Sequence, residues 1–219
     1  MKKKNKETNK LLISIIAVAL IIAIIGGATF AYWSWQSNTD QQTTVNVTVT
    51  GGSLTISGGN VTKTGMYPTS DCDGTGALVG GTATVTAVNQ TESPMTVKLY
   101  IRGTLSAKQG SLTTTNKGKL NWAVVQVTSS TATPSDNTCK TGAIASGTLS
   151  NVTTNTDINT GITFTAAAST TTTKYYKLYV WLDSTYSFTN SGSTVSDPMQ
   201  DLTISVKWSP ASIMTQETT

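Results

Sequence analysis

The chain has 219 residues, with fifteen Lys or Arg against eleven Asp or Glu, two Cys and no His, and a pI near 9.0. Without histidine there is no Ser–His or Cys–His nucleophile pair, no HExxH metalloprotease site and no histidine-ligated zinc, and two cysteines alone cannot build a Cys₄ site. Five of the basic residues and one acidic residue, Glu7, fall in the first 31 positions, so the remainder carries ten of each sign and is formally neutral; that balance, with no basic patch interleaved with aromatics, speaks against a nucleic-acid partner and does little to keep copies of the chain apart.

Lys2, Lys3, Lys4, Lys6 and Lys10 precede an apolar run, Leu11 to Ile25, whose most polar member is Ser14; Gly26-Gly27-Ala28-Thr29-Phe30-Ala31 follows. A basic region, an apolar region and a small-residue site in that order make a secretory signal. The expected cleavage lies between Ala31 and Tyr32. The fifteen apolar residues are long for a signal and short of the roughly 20 a spanning helix needs. Counting on through the glycines to Trp33 and Trp35 gives the second reading, an uncleaved anchor with an interfacial aromatic belt. Either way only the N-terminal segment meets the membrane, and the domain that follows is secreted or displayed at the cell surface. Residues 32–44 then form an extended arm carrying Tyr32, Trp33 and Trp35.

Beyond the arm the composition is that of strands and turns. About a fifth of the residues are threonine, β-branched and stiff at χ1, with Gly, Asn and Asp as punctuation. Val45, Val47 and Val49 alternate with polar residues, and Gly51-Gly52 separates them from Leu54 and Ile56. Residues 58–80, with Pro68 and Asp71-Cys72-Asp73-Gly74, read as a long loop or ragged edge. Ala83, Val85 and Ala87 open a strand that turns at Asn89 to Pro94 and returns through Val97, Leu99 and Ile101. Leu120 to Val127 is a stronger apolar run, suited to a central strand. Residues 129–159 read as a mobile Thr/Ser/Asn-rich loop with room for a short strand at Ala143 to Leu149. Ile162 and Phe164 form another strand; Tyr176, Leu178, Val180 and Leu182 share one face of the next; Leu202, Ile204, Val206 and Trp208 close the fold. Roughly nine strands at hairpin-like spacing predict an all-β, single antiparallel β-sandwich or jelly-roll-like domain over residues 45–211, with 212–219 a frayed tail.

Little in this chain carries chemistry. Acidic residues are scattered singly, in places that suit solvated turns, and no enzyme, metal or cofactor is expected. Asp71, Asp73 and Gly74 lack the third ligand and closing Glu of a calcium loop; a looser oxygen site from Asp183, Asp197 or Asp201 stays open. Asn46, Asn60, Asn89 and Asn151 stand in N-x-T sequons that a threonine-rich chain produces by chance. In an exported chain, Cys72 and Cys139 read as one disulfide, worth roughly 4 kcal/mol on the chain-entropy model; free thiols or bonds between subunits are the alternatives.

The block GGATFAYWSW after the apolar run resembles the export signal of the TasA/camelysin group of secreted Gram-positive proteins, cut by a SipW-type signal peptidase near a G-G-x-T-[FW]-A motif. TVNVTVTGGSLTIS is similar to the group's first strands, VTAVNQTESPMTVKL to its strand–Asn–turn–strand unit and LTISVKW to its closing strand. The resemblance implies a jelly-roll-like, non-enzymatic protein that builds extracellular fibres of a biofilm matrix with itself and with other matrix or envelope components. It implies assembly by donation of an N-terminal strand, with Trp33 and Trp35 on one side of the extended arm as pocket anchors. The metalloprotease activity described for some camelysin relatives is not carried over to a chain without histidine. A second function class is a membrane-anchored surface module that binds a glycan or protein, with Trp181, Trp122 or Trp208 as its platform, although all three lie in strand segments suited to core packing.

Overall fold

Alternating Val/Ile/Leu with Thr/Ser over six to thirteen residues puts one apolar face on each strand, and two such faces close on each other. The computed structural model describes residues 44–73, 77–108, 110–132, 138–188, 190–191, 194–195 and 197–216. The chain divides into Met1–Gln42 and Thr43–Thr219, and every described residue belongs to the second unit. The apolar run, the Ala31–Tyr32 bond and the arm residues Tyr32, Trp33 and Trp35 lie outside the described residues. Among those described, no helix is long and apolar enough to cross a membrane.

The strands are β1 (Thr44–Val49), β2 (Gly52–Ser57), β3 (Val61–Thr64), β4 (Pro68–Thr69), β5 (Leu78–Asn89), β6 (Met95–Ser106), β7 (Leu120–Val127), β8 (Ala143–Thr148), β9 (Thr156–Ala166), β10 (Thr171–Asp183), β11 (Asn190–Ser191), β12 (Thr194–Val195), β13 (Thr203–Trp208) and β14 (Ile213–Gln216), with two short helices, α1 (Thr114–Lys117) and α2 (Thr138–Thr141). The first sheet runs β1-β2-β5-β10-β7-β8, and β4 lies parallel to the end of β10. In the second sheet β9 holds one edge of β6, while β13 and β14 share the other: β14 pairs with residues 95–98 and β13 with 101–106, and β3 lies outside β13.

These pairings form one folded ribbon. β7 pairs β8 in the first sheet, β6 pairs β9 in the second, β5 pairs β10 in the first, and β3 pairs β13 in the second. The β10–β7 and β13–β6 ladders lock successive turns of the ribbon together. A double ribbon wrapped alternately across two sheets is a jelly roll. The β1–β2 hairpin extends the first sheet beyond β5.

Between the sheets lie Leu54, Ile56, Val85, Leu178, Val180 and Leu182 from one side and Val97, Leu99, Ile101, Ile204 and Val206 from the other, all essentially inaccessible to water. Each such side chain contributes roughly 1.5–3 kcal/mol by burial. Tyr176 meets Trp208 with ring centroids 5.9 Å apart and planes tilted by 49°. Trp208 lies against Gly59, where a Cβ would come within 2.8 Å of its Nε1 and within 2.5 Å of the Ala83 Cβ; Gly59 also has φ +74°.

Three expectations need correction. Residues 58–80 are not all loop: β3 pairs with β13 and buries Val61, and β4 pairs with β10. Nor does the fold stop at residue 211, since β14 pairs with β6 and buries Met214. In both places a single inward apolar residue per strand is enough, because the ladder supplies the rest. Thr44, assigned to the arm, is the first residue of β1.

Candidate functional site

The edges of the two sheets each have their own chemistry. β9 is interrupted by a bulge in which Thr160, Gly161 and Ile162 stand opposite Leu99 alone. Gly161 takes φ +72°, the Thr160 hydroxyl donates to the Leu99 carbonyl at 2.6 Å, and Asn159 accepts the Gly161 N–H at 2.9 Å. β3 has only four residues and carries Lys63. β8 bulges at Ile144, the extra residue between the partners of Val124 and Val125. Bulges, shortness and lysine are the devices that stop an edge from pairing with another chain.

β1 has none of them. Its six residues pair with β2 in unbroken register from Thr44↔Ser57 to Val49↔Gly52, with no charge, no proline and no bulge. Val45 is buried and Val47 and Val49 pack against the core, while Asn46 and Thr48 face solvent. Among the described residues, β2 is its only partner strand.

Cys72 and Cys139 form a disulfide with Cα atoms 6.1 Å apart. The bond does more than restrain loose loops. Both cysteines are buried in a second apolar cluster with Ala123, Val125, Val127 and Tyr179, on the outer face of β7 and β10, and Ala132, Ala143, Tyr175 and Trp181 pack around it. The Lys140 ammonium donates to the Ser70 carbonyl and ties the two bridged segments together a second time. Burial, with the charge of Asp73 nearby, pushes the Tyr179 hydroxyl above its ordinary pKa.

Of the three tryptophans singled out as platforms, Trp122 and Trp208 are core residues whose indole N–H groups meet no partner among the described residues. Trp181 points the other way and is half-buried on the outer face. Asp183, Asp197 and Asp201 are not gathered into a cation site. Asp183 accepts the Thr185 N–H and hydroxyl at 2.8 and 2.6 Å, and these bonds hold its carboxyl below the ordinary range. Asp197 accepts the Tyr186 hydroxyl at 2.7 Å and the Met199 N–H at 2.9 Å. Among the described residues the one grouping of three potential metal ligands is Cys72, Asp73 and Cys139, and the disulfide occupies both sulfurs.

Two polar networks have partners that the sequence pattern did not pair, although Asn89 itself marked a turn. Buried Asn89 donates from Nδ2 to the carbonyls of Ser93, Ala166 and Ala167 and accepts the Thr91 N–H and hydroxyl, so it clamps the β5–β6 and β9–β10 turns together. On the second sheet Arg102 makes a two-pronged bond to Asp157 at 2.8 and 3.0 Å, and Ser209 donates to the same carboxylate.

No protein-family model, no curated protein and no solved structure matches the chain.

Proposed function

We propose that this chain is a non-enzymatic extracellular structural protein that assembles with copies of itself into fibres or a surface layer of a bacterial matrix, one subunit's arm adding as a strand to the next. The observation that carries this reading is the contrast among the edges. β8 and β9 are blunted by bulges, β3 by length and lysine and β14 by its four-residue length, and β1 presents a six-residue, uninterrupted, uncharged ladder. Strand addition supplies main-chain hydrogen bonds to an open edge while alternate side chains fill pockets. The order of the N-terminal segment and the buried disulfide support an oxidising compartment. Formal neutrality beyond residue 31 supports close approach of copies.

The test is electron microscopy of the chain recovered from the medium of an exporting host, oxidised and concentrated at neutral pH. Regular filaments are expected, and deleting Tyr32 to Asp40 should abolish them while leaving the β-sheet circular dichroism unchanged. Filaments that persist without the arm would exclude strand donation. A protein that stays monodisperse at every concentration would exclude self-assembly altogether.

A further inference from the structure

The outer face of the first sheet carries a groove of about 290 Å³. Its floor is a row of side chains in register across three strands. Trp181 on β10 stands opposite Asn121 on β7, and Asn121 stands opposite Thr148 on β8. At a strand spacing of about 4.8 Å the row is roughly 10 Å long. Ser146 follows on β8, opposite the buried Ala123. The wall is α2, where Cys139 and Lys140 line the groove.

We propose that this groove is a binding site for a neutral saccharide, a site that goes beyond the assembly role and does not depend on it. Sugar rings present apolar C–H faces and a rim of hydroxyls. The site offers the match: a partly exposed indole for the apolar face, and the Asn121 amide oxygen with the Ser146 and Thr148 hydroxyls for the rim, the Asn121 Nδ2 being turned to the Lys119 carbonyl, on a rigid ladder rather than on loops. Among the described residues no carboxylate lines the groove, and the one cation that does is Lys140, which donates to the Ser70 carbonyl. Apart from that single ammonium the lining is uncharged, which suits the hydroxyls of a neutral sugar. The small volume suits a unit of one or two rings, taken from a longer chain whose ends run out over the open β8 side. The disulfide completes the site, because it fixes the wall against the sheet.

Isothermal titration of the oxidised full chain with neutral hexasaccharides of glucose, mannose and galactose, and with oligogalacturonate as the charged comparison, tests the proposal. At least one neutral hexasaccharide should bind. Trp181→Ala should weaken it at least tenfold, and Trp181→Phe should recover most of the loss. Thr148→Arg lies on an exposed edge strand away from the apolar cluster, so it fills the groove without disturbing the fold, and it should weaken binding as strongly while leaving filament formation unchanged. Binding unaffected by Thr148→Arg, binding of the charged oligomer alone, or binding of none of the four would overturn the assignment.

Discussion

Cys72 and Cys139 meet over Val125 and Tyr179, so the disulfide roofs the outer face of a sheet whose inner face already packs the main core. β7 is thereby buried on both sides, which accounts for its nearly continuous apolar sequence, Leu120 to Val127. Replacing both cysteines with serine removes the constraint on a 67-residue separation, about 4 kcal/mol on the chain-entropy model, and opens the cluster to water. Urea unfolding of the oxidised chain against Cys72→Ser/Cys139→Ser should show a lower midpoint. Quenching of Trp181 fluorescence by iodide should rise in the variant even where the sheet stays folded.

Gly59 and Gly81 give opposite expectations for the same change. Gly59→Ala forces a left-handed φ on an L-residue and drives a methyl into Ala83 and Trp208; backbone strain of about 1–2 kcal/mol and overpacking of about 1–3 kcal/mol both oppose it. A Cβ at Gly81 meets nothing within 4 Å, so Gly81→Ala should be neutral or stabilising by up to about 1 kcal/mol. Thermal unfolding of the two variants side by side reads the difference.

Tyr186 donates to both oxygens of the buried Asp197 carboxylate, at 2.7 and 3.0 Å, and receives a 3.3 Å bond from Asn116 in α1. Tyr186→Phe keeps the ring against Phe188 and withdraws the hydroxyl from a buried charge. A loss of about 1–3 kcal/mol is expected. The variant should also show faster amide exchange in the α1 segment, because the Asn116 contact goes with it.

At low pH the Arg102–Asp157 pair is the group to watch. The Arg102 hydrogen bond, with that of Ser209, holds the Asp157 carboxyl below its ordinary value of about 3.9. The folded state thus binds the proton less readily than the unfolded chain. The pair's contribution is complete above about pH 4 and fades as pH falls through the lower, folded value. The pair is largely solvent-exposed, so the effect is small and shrinks in salt. Asp157→Asn should flatten the decline in stability between pH 5 and pH 2 in low salt, and leave the rest of the profile alone.

At high pH the sign reverses. Burial pushes the Tyr176 hydroxyl up to about 12, and burial with the bond to Asp197 does the same for Tyr186. An unfolded tyrosine ionises near 10, so stability should fall between about pH 10 and pH 12 as the unfolded state loses protons the folded state keeps. Spectrophotometric titration at 295 nm should show Tyr176, Tyr179 and Tyr186 ionising only as the protein unfolds, and one fewer in Tyr176→Phe.

Placing a guard on β1 tests its role directly. Thr48 faces solvent near the end of the strand, and Thr48→Lys gives the edge the charge that such edges usually carry. Filament yield measured by sedimentation should drop several-fold, with the melting temperature unchanged. Thr62→Lys on the already guarded β3 should leave the yield as it was.

The all-β class and most inner faces were legible because period-two alternation is a local property: Val45 to Val49, Tyr176 to Leu182 and Leu202 to Trp208 lie as the pattern requires. β3 and β14 were not legible, since each commits one fully buried apolar residue, Val61 or Met214, and borrows its order from the neighbouring ladder. The cysteine pair followed from its number and setting. The cluster beneath it did not, because a strand buried on two faces reads like any apolar run. The Trp181–Asn121–Thr148 row belongs to register, a relation among three segments that no single segment encodes.

The pairing of β3 with β13 also sets a schedule. Thr64 and Thr203, whose hydroxyls share a 3.0 Å hydrogen bond, are 139 residues apart. At 5–20 residues per second, on the order of ten seconds of synthesis separate the two halves of that contact. Through that interval the early strand has no partner on its β13 side, and a fold so rich in distant contacts is slow to close once it can. Until its last third has been made, the chain remains a threadable polymer.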